Sequence, residues 1–250
     1  GLELAKIFAA EGYNMVIVAR TENELRDTAR LLEDNGSQKV IPIPTDLFEP
    51  NAASSLYDMV GAMDIKIDIL VNDAGQGVYG RFAENELADE LRIIQLNVCS
   101  LVVLTKLYLR DMVSRGSGRI LNVSSIAGKT PGPWQAVYHG TKAFVHSFNE
   151  AVNFELKDTG VTLTSLLPGA TDTDFFRKAG MESAKIVVEG ELADAAEVAR
   201  DGYQALMEGR DMIVSGLKNR LNVALGNLTP DSKQAAMMAQ QQKPIEGSEQ

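Results

Sequence analysis

The chain has 250 residues, a length that suits one large α/β domain with its own apolar core and that permits an enzyme. Its formal net charge of -10 argues against a general binder of nucleic-acid backbones, because such proteins need an excess of lysine and arginine. The single cysteine, Cys99, excludes an intrachain disulfide. We expect no metal site, because the whole chain has only this cysteine and two histidines as typical zinc ligands.

Strand-like stretches alternate with longer helix-like ones along most of the chain. The strand-like stretches are rich in Val, Ile and Leu and mostly apolar on both faces, as in a parallel sheet that is covered on both sides. They are NMVIVA (14–19), KVIPIP (39–44), IDILVN (67–72), RILNVS (119–124), VTLTSLL (161–167) and DMIVSG (211–216). Six strands with intervening helices predict a single-domain, doubly wound α/β fold of the Rossmann type.

The last stretch of the chain differs in composition from the rest. Residues 226–250 are rich in glutamine and poor in large apolar side chains. This composition predicts a flexible polar tail that follows a domain of residues 1–225. Met237 and Met238 leave open a weak helix or a contact between subunits.

The strongest chemical signal is YHGTK, Tyr138 to Lys142, near the start of a helix-like stretch. Positions i and i+4 share one face of a helix, so the Lys142 ammonium is expected close to the Tyr138 phenol. A nearby cation favours the phenolate, which predicts a lowered pKa and a role in proton transfer. Taken alone, the pattern also fits two surface residues one turn apart.

A serine hydroxyl is predicted beside this tyrosine. Ser125 follows the strand-like RILNVS and precedes IAG, at the end of a strand where ligands of open α/β sheets bind. There it could donate a hydrogen bond to a carbonyl oxygen, although a turn-forming serine is the alternative. Ser124 is the rival for the same role, and we prefer Ser125 because it directly precedes the small-residue turn.

Four motifs together resemble those of the short-chain dehydrogenase/reductase family. SSIAG, YHGTK, NDAG and PGATDTDF stand in the family's order and at its separations, and the resemblance covers residues 1–225. It implies that Tyr138 is the general acid/base and that Lys142 binds the cofactor ribose and activates the phenol. It also implies that Ser125 binds the substrate oxygen and that Asn97, in LNVCS, holds a water of the proton relay.

The resemblance also implies a nicotinamide cofactor held by residues that follow successive strands. The candidates are Asp46 and Leu47 for the adenine, Asn72, Ala74 and Gly75 for the adenine ribose, Tyr138 and Lys142 as above, and Pro168, Gly169, Thr171 and Thr173 for the nicotinamide end. Asp46 could instead cap a helix, and the glycines could form ordinary turns. Asp73 departs from the family, which usually has asparagine there, and its carboxylate supplies no amide donors.

The end of the first strand-like stretch indicates which cofactor is bound. NAD sites usually have an acidic residue there for the ribose 2'-hydroxyl, and this chain has none. Arg20 stands at that end, where a guanidinium can pair with a 2'-phosphate, and Thr21 adds a hydroxyl. We therefore expect NADP(H), with NAD(H) as the alternative.

These residues predict an oxidoreductase that transfers a hydride between NADP(H) and a carbonyl or secondary-alcohol substrate. The alternatives are a catalytically inactive nucleotide-binding sensor or scaffold of the same fold and, within catalysis, an epimerase or dehydratase. The resemblance also implies a homodimer or homotetramer through segments 85–114 and 137–159. We expect no nucleic acid or membrane partner and a cytoplasmic location, since no apolar run is long enough to span a bilayer.

The opening GLELAKIFAAEG aligns with the family's first helix. A central strand and a glycine-rich turn precede this helix in the family, and Gly1 matches the last glycine of that turn. The helix N-terminus at Gly1 would face the cofactor pyrophosphate. If the chain begins there, we expect a gap in the middle of the sheet, weak cofactor binding and poor stability.

Overall fold

The computed structural model describes residues 1–226 and 228–245. Its strands are β1 (Met15–Ala19), β2 (Val40–Pro44), β3 (Ile69–Asn72), β4 (Gly118–Val123), β5 (Val161–Leu167) and β6 (Met212–Val214). The helices of the first half are α1 (Leu2–Ala10), α2 (Glu22–Asp34), α3 (Ala52–Ala62), α4 (Leu87–Ile94) and α5 (Leu101–Ser114). Those of the second half are α6 (Ala136–Glu155), α7 (Phe175–Ala179), α8 (Lys185–Val188), α9 (Ala195–Met207), α10 (Leu217–Gly226) and α11 (Asp231–Gln242).

The six strands of the described residues pair with one another in parallel, which confirms the predicted α/β fold. β1 pairs with β2, and β3, β4, β5 and β6 form a second sheet in that order. A cavity of about 1890 Å³ is lined by β1 and β3 and continues to the carboxyl ends of the strands. In the part of the chain that is described, β1 and β3 do not pair with each other, and both line this cavity.

Helices cover both faces of the sheet, as the apolar strands predict. Ile120 and Leu121 are adjacent in β4 and fully buried, and they point to opposite faces because side chains alternate along a strand. Ile120 packs in a cluster with Leu104 and Met112 of α5, whereas Leu121 packs in one with Leu4 of α1. The sheet thus has a separate apolar core on each side.

The segment after α10 differs in part from the flexible tail that its composition favours. Asp231–Gln242 form α11, and Gln242 is 3% exposed although it is polar. Ala184 and Pro244 pair in an antiparallel bridge that holds the end of α11 against the α8 region. This helix is the alternative that Met237 and Met238 left open, and composition favoured a flexible tail because polar contacts, and not an apolar stripe, attach the helix. Asn227 and residues 246–250 lie outside the described residues, and the domain boundary near residue 225 stays a prediction.

The helices within the described residues are too short or too polar to cross a membrane, and none of them combines the length and hydropathy that a bilayer requires.

Candidate active site

A chain of buried polar side chains joins the carboxyl ends of β3, β4 and β5 to α6. Asn72 Nδ2 donates to Thr105 Oγ1 (3.0 Å) and to Asn122 Oδ1 (2.8 Å). Asn122 Nδ2 donates to Asn149 Oδ1 (2.7 Å), and Asn149 Nδ2 donates to Ser165 Oγ (2.5 Å). Because α6 also carries Tyr138 and Lys142, this chain sets the position of the predicted catalytic helix against the sheet.

The two serines after β4 have different surroundings. Ser124 Oγ donates to the Lys142 carbonyl (3.1 Å), and Ser124 is 2% exposed. Ser125 Oγ accepts from Ala127 N (3.0 Å) and donates to the Pro168 carbonyl (3.4 Å), and its side chain is close enough to the Tyr138 phenol to act on the pKa of that group. Ser125 is thus the serine beside the tyrosine, whereas Ser124 ties the strand end to the helix.

Tyr138 lies at the cavity wall with little access to water. Its ring is 5.1 Å from that of Phe175, centroid to centroid, and the residue is 9% exposed. Burial raises the pKa of the phenol to about 12, while the Ser125 side chain acts to lower it. The lowered pKa expected from spacing alone is therefore wrong for this structure, because loss of hydration outweighs the effect of Ser125.

Lys142 lies on the same face of α6 as Tyr138, as the i and i+4 spacing predicts. Its Nζ is 5.9 Å from the Tyr138 ring centroid and donates to the Val123 carbonyl (2.8 Å). The lysine is 4% exposed, and burial lowers its pKa to about 8, with Asp73 acting to raise it. The ammonium is thus a poorly hydrated charge that is available for a polar ligand.

Asn97 lies in a π-helical turn, Gln95–Ser100, between α4 and α5. Its Oδ1 accepts from Gln76 N (3.0 Å), and its Nδ2 donates to Gln76 O (2.9 Å) and to Thr141 Oγ1 (3.0 Å). π-helical turns occur often at functional sites. In this structure Asn97 holds the backbone of Gln76 against α6, and its role toward a water stays a prediction.

The candidate cofactor residues come together at one cavity although they are distant in sequence. Those that line it are Arg20, Thr21, Asp46, Leu47, Asn72, Ala74, Gly75, Tyr138, Lys142, Pro168, Gly169, Thr171 and Thr173. The carboxyl ends of parallel strands meet at one edge of a sheet, which explains this convergence. Ser125 lines the same cavity.

Several of these side chains also have structural hydrogen bonds. Asp46 Oδ1 accepts from Phe48 N (3.1 Å), and α3 begins after Asn51, so Asp46 does not cap that helix. Thr171 Oγ1 donates to Gly169 O (3.0 Å). Thr173 Oγ1 accepts from Phe175 N (3.3 Å). These contacts shape the loops that follow β2 and β5.

Arg20 follows β1 directly, as its place in the sequence predicts. Its guanidinium carbon lies 5.0 Å from the centroid of the Phe48 ring, and that of Arg92 lies 4.8 Å from the same centroid. Within residues 1–226 and 228–245 neither arginine forms an ion pair. Two cations therefore face the cavity region at the end of β1 without a protein anion.

Sequence reasoning missed three polar residues at the site. Thr141 bonds to Asn97, Gln135 precedes α6, and Gln242 reaches the cavity from α11. The position of Gln135, three residues before Tyr138, was a usable signal, since the two lie within one helical turn. Nothing in the sequence pattern connects Gln242 to the site. The described residues contain no group of three or more His, Cys, Asp or Glu side chains that could hold a metal ion.

Comparisons with known proteins agree with this geometry. A family model described as short chain dehydrogenase matches residues 1–184. The ketoacyl reductase HetN of Nostoc is 30% identical over 230 residues, which are 92% of this chain and 75% of that protein. Sulfoacetaldehyde reductase 2 of Chromohalobacter salexigens is 31% identical over 177 residues, 70% of this chain and 69% of that protein.

Solved structures resemble the chain over most of its length. A short-chain dehydrogenase from Sphingobium yanoikuyae in complex with NADPH superposes with a TM-score of 0.81 at 27% identity, covering 91% of this chain and 90% of that one. A bulky-bulky ketone specific alcohol dehydrogenase from Comamonas testosteroni has a TM-score of 0.76 at 25% identity, covering 91% and 88%.

Proposed function

This chain belongs to the short-chain dehydrogenase/reductase family, and from that premise we propose that it is an NADP(H)-dependent oxidoreductase that interconverts carbonyl compounds and secondary alcohols. The observation that carries the proposal is the convergence of the Tyr138 and Ser125 side chains on one cavity that Lys142 also lines. A hydroxyl pair of this kind can bind one substrate oxygen and exchange a proton with it.

The roles of the side chains follow from their protonation. With a pKa of about 12, the Tyr138 phenol holds its proton at neutral pH and can give it to the oxygen of a carbonyl under reduction. Ser125 orients that oxygen by a hydrogen bond, and the Lys142 ammonium stabilises negative charge that forms nearby. The cofactor, when bound, supplies or accepts the hydride. In the oxidative direction the phenol must first have lost its own proton, and the phenolate then takes the proton of the alcohol.

The residues present fit a dinucleotide. Gly75 approaches the site so closely that a Cβ there would lie 3.3 Å from Lys142 Nζ and 3.5 Å from Asn97 Oδ1, so a side chain would fill the space beside the lysine. Arg20, without a protein anion in the described part of the chain, would hold a 2'-phosphate. The relative in complex with NADPH supports this choice of NADP(H) over NAD(H).

The names of the relatives support the carbonyl and alcohol substrate class. They include a ketoacyl reductase, a sulfoacetaldehyde reductase and a ketone specific alcohol dehydrogenase. The alternative of an inactive nucleotide sensor is less well supported, because all four predicted catalytic residues are retained at the site. An inactive sensor would bind NADPH and reduce none of a panel of ketones and aldehydes.

The catalytic role of Tyr138 can be tested by Tyr138→Phe. The variant lacks the transferable proton, so turnover of a panel of ketones and aldehydes, followed by NADPH absorbance, should be abolished while NADPH binding remains. Tyr57→Phe is the matched control, since Tyr57 bonds to Asp111 (2.9 Å) away from the site. Turnover by Tyr138→Phe at the rate of the control would refute the mechanism.

The cofactor preference can be tested by Arg20→Ala. We expect NADPH affinity to fall by about tenfold or more with NADH affinity unchanged, because a charged hydrogen bond to phosphate contributes about 1.5 to 3 kcal/mol. Arg30→Ala is the control, an exposed arginine of α2 that pairs with Asp27. An equal loss for both cofactors would contradict the phosphate role.

We also propose a homodimer or homotetramer through segments 85–114 and 137–159. Phe154 of α6 is 70% exposed and Leu87 of α4 is 67% exposed, so both segments present apolar side chains to solvent. Sedimentation of the purified protein as a monomer at micromolar concentration would contradict this proposal.

A further inference from the structure

Two buried glutamines meet at the cavity that contains Tyr138. Gln135 precedes α6 and Gln242 ends α11, and each is 3% exposed. Both line the cavity, and Gln242 Nε2 lies 3.4 Å from Gln135 Oε1. The site therefore has a polar point that the proposed proton transfer does not use.

The hydrogen bonds of His139 determine how both amides are oriented. His139 Nδ1 lies 2.7 Å from the Thr130 carbonyl oxygen, which only accepts, so Nδ1 carries the hydrogen. Burial lowers the pKa of His139, so its Nε2 is an acceptor in the neutral ring. Gln242 Nε2, at 3.0 Å, must then be the donor to it. The second hydrogen of the Gln242 amide points to Gln135 Oε1. The other atom of the Gln135 amide, Nε2, is therefore not a partner of Gln242 Nε2.

This arrangement leaves one donor and one acceptor without a protein partner. In the described part of the chain, Gln135 Nε2 and Gln242 Oε1 are buried and have no hydrogen-bond partner. A buried polar atom without a partner costs free energy that a ligand group can recover. The pair thus favours a ligand that accepts at one point and donates at the other.

The unpaired donor lies close to the reacting groups. A Cβ on Gly77 would lie 3.0 Å from Gln135 Nε2 and 3.0 Å from Phe175 Cζ, so these two groups pack closely against the Gly77 backbone and lie near each other. Phe175 in turn packs on the Tyr138 ring at 5.1 Å. A substrate whose carbonyl oxygen reaches Tyr138 can therefore extend toward Gln135.

We propose that Gln135 and Gln242 form a substrate subsite that recognises a neutral hydroxyl group on the carbonyl substrate. A hydroxyl can accept from Gln135 Nε2 and can donate to Gln242 Oε1, so it is the neutral group whose chemistry matches both atoms. A carboxylate has no hydrogen to donate, and no cationic side chain belongs to the pair. This inference rests on the proposed function and deepens it, because it makes hydroxyketones the preferred class of substrate.

The fold holds Gln242 at this place from two sides. The Tyr79 hydroxyl donates to the Gln242 carbonyl (2.5 Å), and Lys185 N donates to the Lys243 carbonyl (3.1 Å). The end of α11 is thus attached to the substrate-side segments before a ligand binds. Such preorganisation makes a hydrogen bond to the ligand more effective, because little ordering remains.

The test uses matched pairs of ketones with NADPH. Each ω-hydroxy methyl ketone, from hydroxyacetone upward in chain length, is paired with the methyl ketone that has a methyl group in place of the hydroxyl. We expect kcat/KM to favour the hydroxyketone by about tenfold or more at one chain length at least. At that length Gln135→Leu should bring the ratio of the two kcat/KM values to about one.

A second variant and a control separate recognition from folding. Gln242→Met keeps the side-chain length and should remove the same preference, whereas Gln204→Leu, an exposed site on α9, should retain it. A preference that is absent at every chain length, or that survives both substitutions at the site, would overturn the subsite while the reductase activity stands. Failure to reduce any ketone with either cofactor would overturn the proposed function, and the subsite with it.

Discussion

The burial of Lys142 predicts a pH dependence of stability that one substitution should remove. The pKa of its ammonium is about 8 in the folded protein and 10.5 ordinarily, because burial removes hydration. Between these values the unfolded chain binds more protons, so the free energy of unfolding rises with pH. Below pH 8 both states are protonated, and the folded state carries the full cost of the buried charge.

The magnitude follows from the shift in pKa. The buried charge costs about 3 kcal/mol of folding stability at pH 7 and under about 1 kcal/mol at pH 10. Lys142→Met keeps the length of the side chain and removes the titrating group. Urea unfolding of the protein without cofactor, from pH 7 to 10, should therefore show the wild type gaining about 2 kcal/mol relative to the variant.

Lys106→Met is the matched control, because Lys106 is an exposed residue of α5. The free energy of unfolding of this variant should change with pH in parallel with that of the wild type. If the free energy of unfolding of Lys142→Met also changed in parallel with that of the wild type, the Lys142 ammonium would be well hydrated in the folded protein. The reasoning from burial would then be refuted.

Two other predictions concern the serines and the buried asparagines. Ser125→Ala should lower kcat/KM by about a hundredfold or more. Ser124→Ala should keep most of the activity and lower the free energy of unfolding by about 1 kcal/mol. Equal losses of activity in the two variants would contradict the assignment of roles. Asn122→Leu should cost about 2 to 4 kcal/mol in urea unfolding, because Asn72 Nδ2 loses one of its two buried acceptors and Asn149 Oδ1 loses its donor. A loss under about 1 kcal/mol would show that these groups find other partners.

Local regularities in the sequence determined the fold and the centre of the site. The apolar strands predict a parallel sheet covered on both faces, and Ile120 and Leu121 show both faces buried. The spacing of Tyr138 and Lys142 places them on one face of α6 because it follows the helical repeat. The position of Ser125 after β4 places its hydroxyl at the tyrosine because the carboxyl ends of parallel strands meet at one edge.

Only the tertiary structure decided the properties that depend on distant parts of the chain. Composition favours a flexible segment where Gln242 is buried against His139, because a contact between residues 103 positions apart leaves no local pattern. Spacing predicts a lowered pKa for Tyr138, whereas desolvation raises it, because burial depends on every element packed around the ring. Secondary structure and the order of motifs are local and could be read from the sequence, but hydration and long-range polar contacts depend on how the whole chain packs.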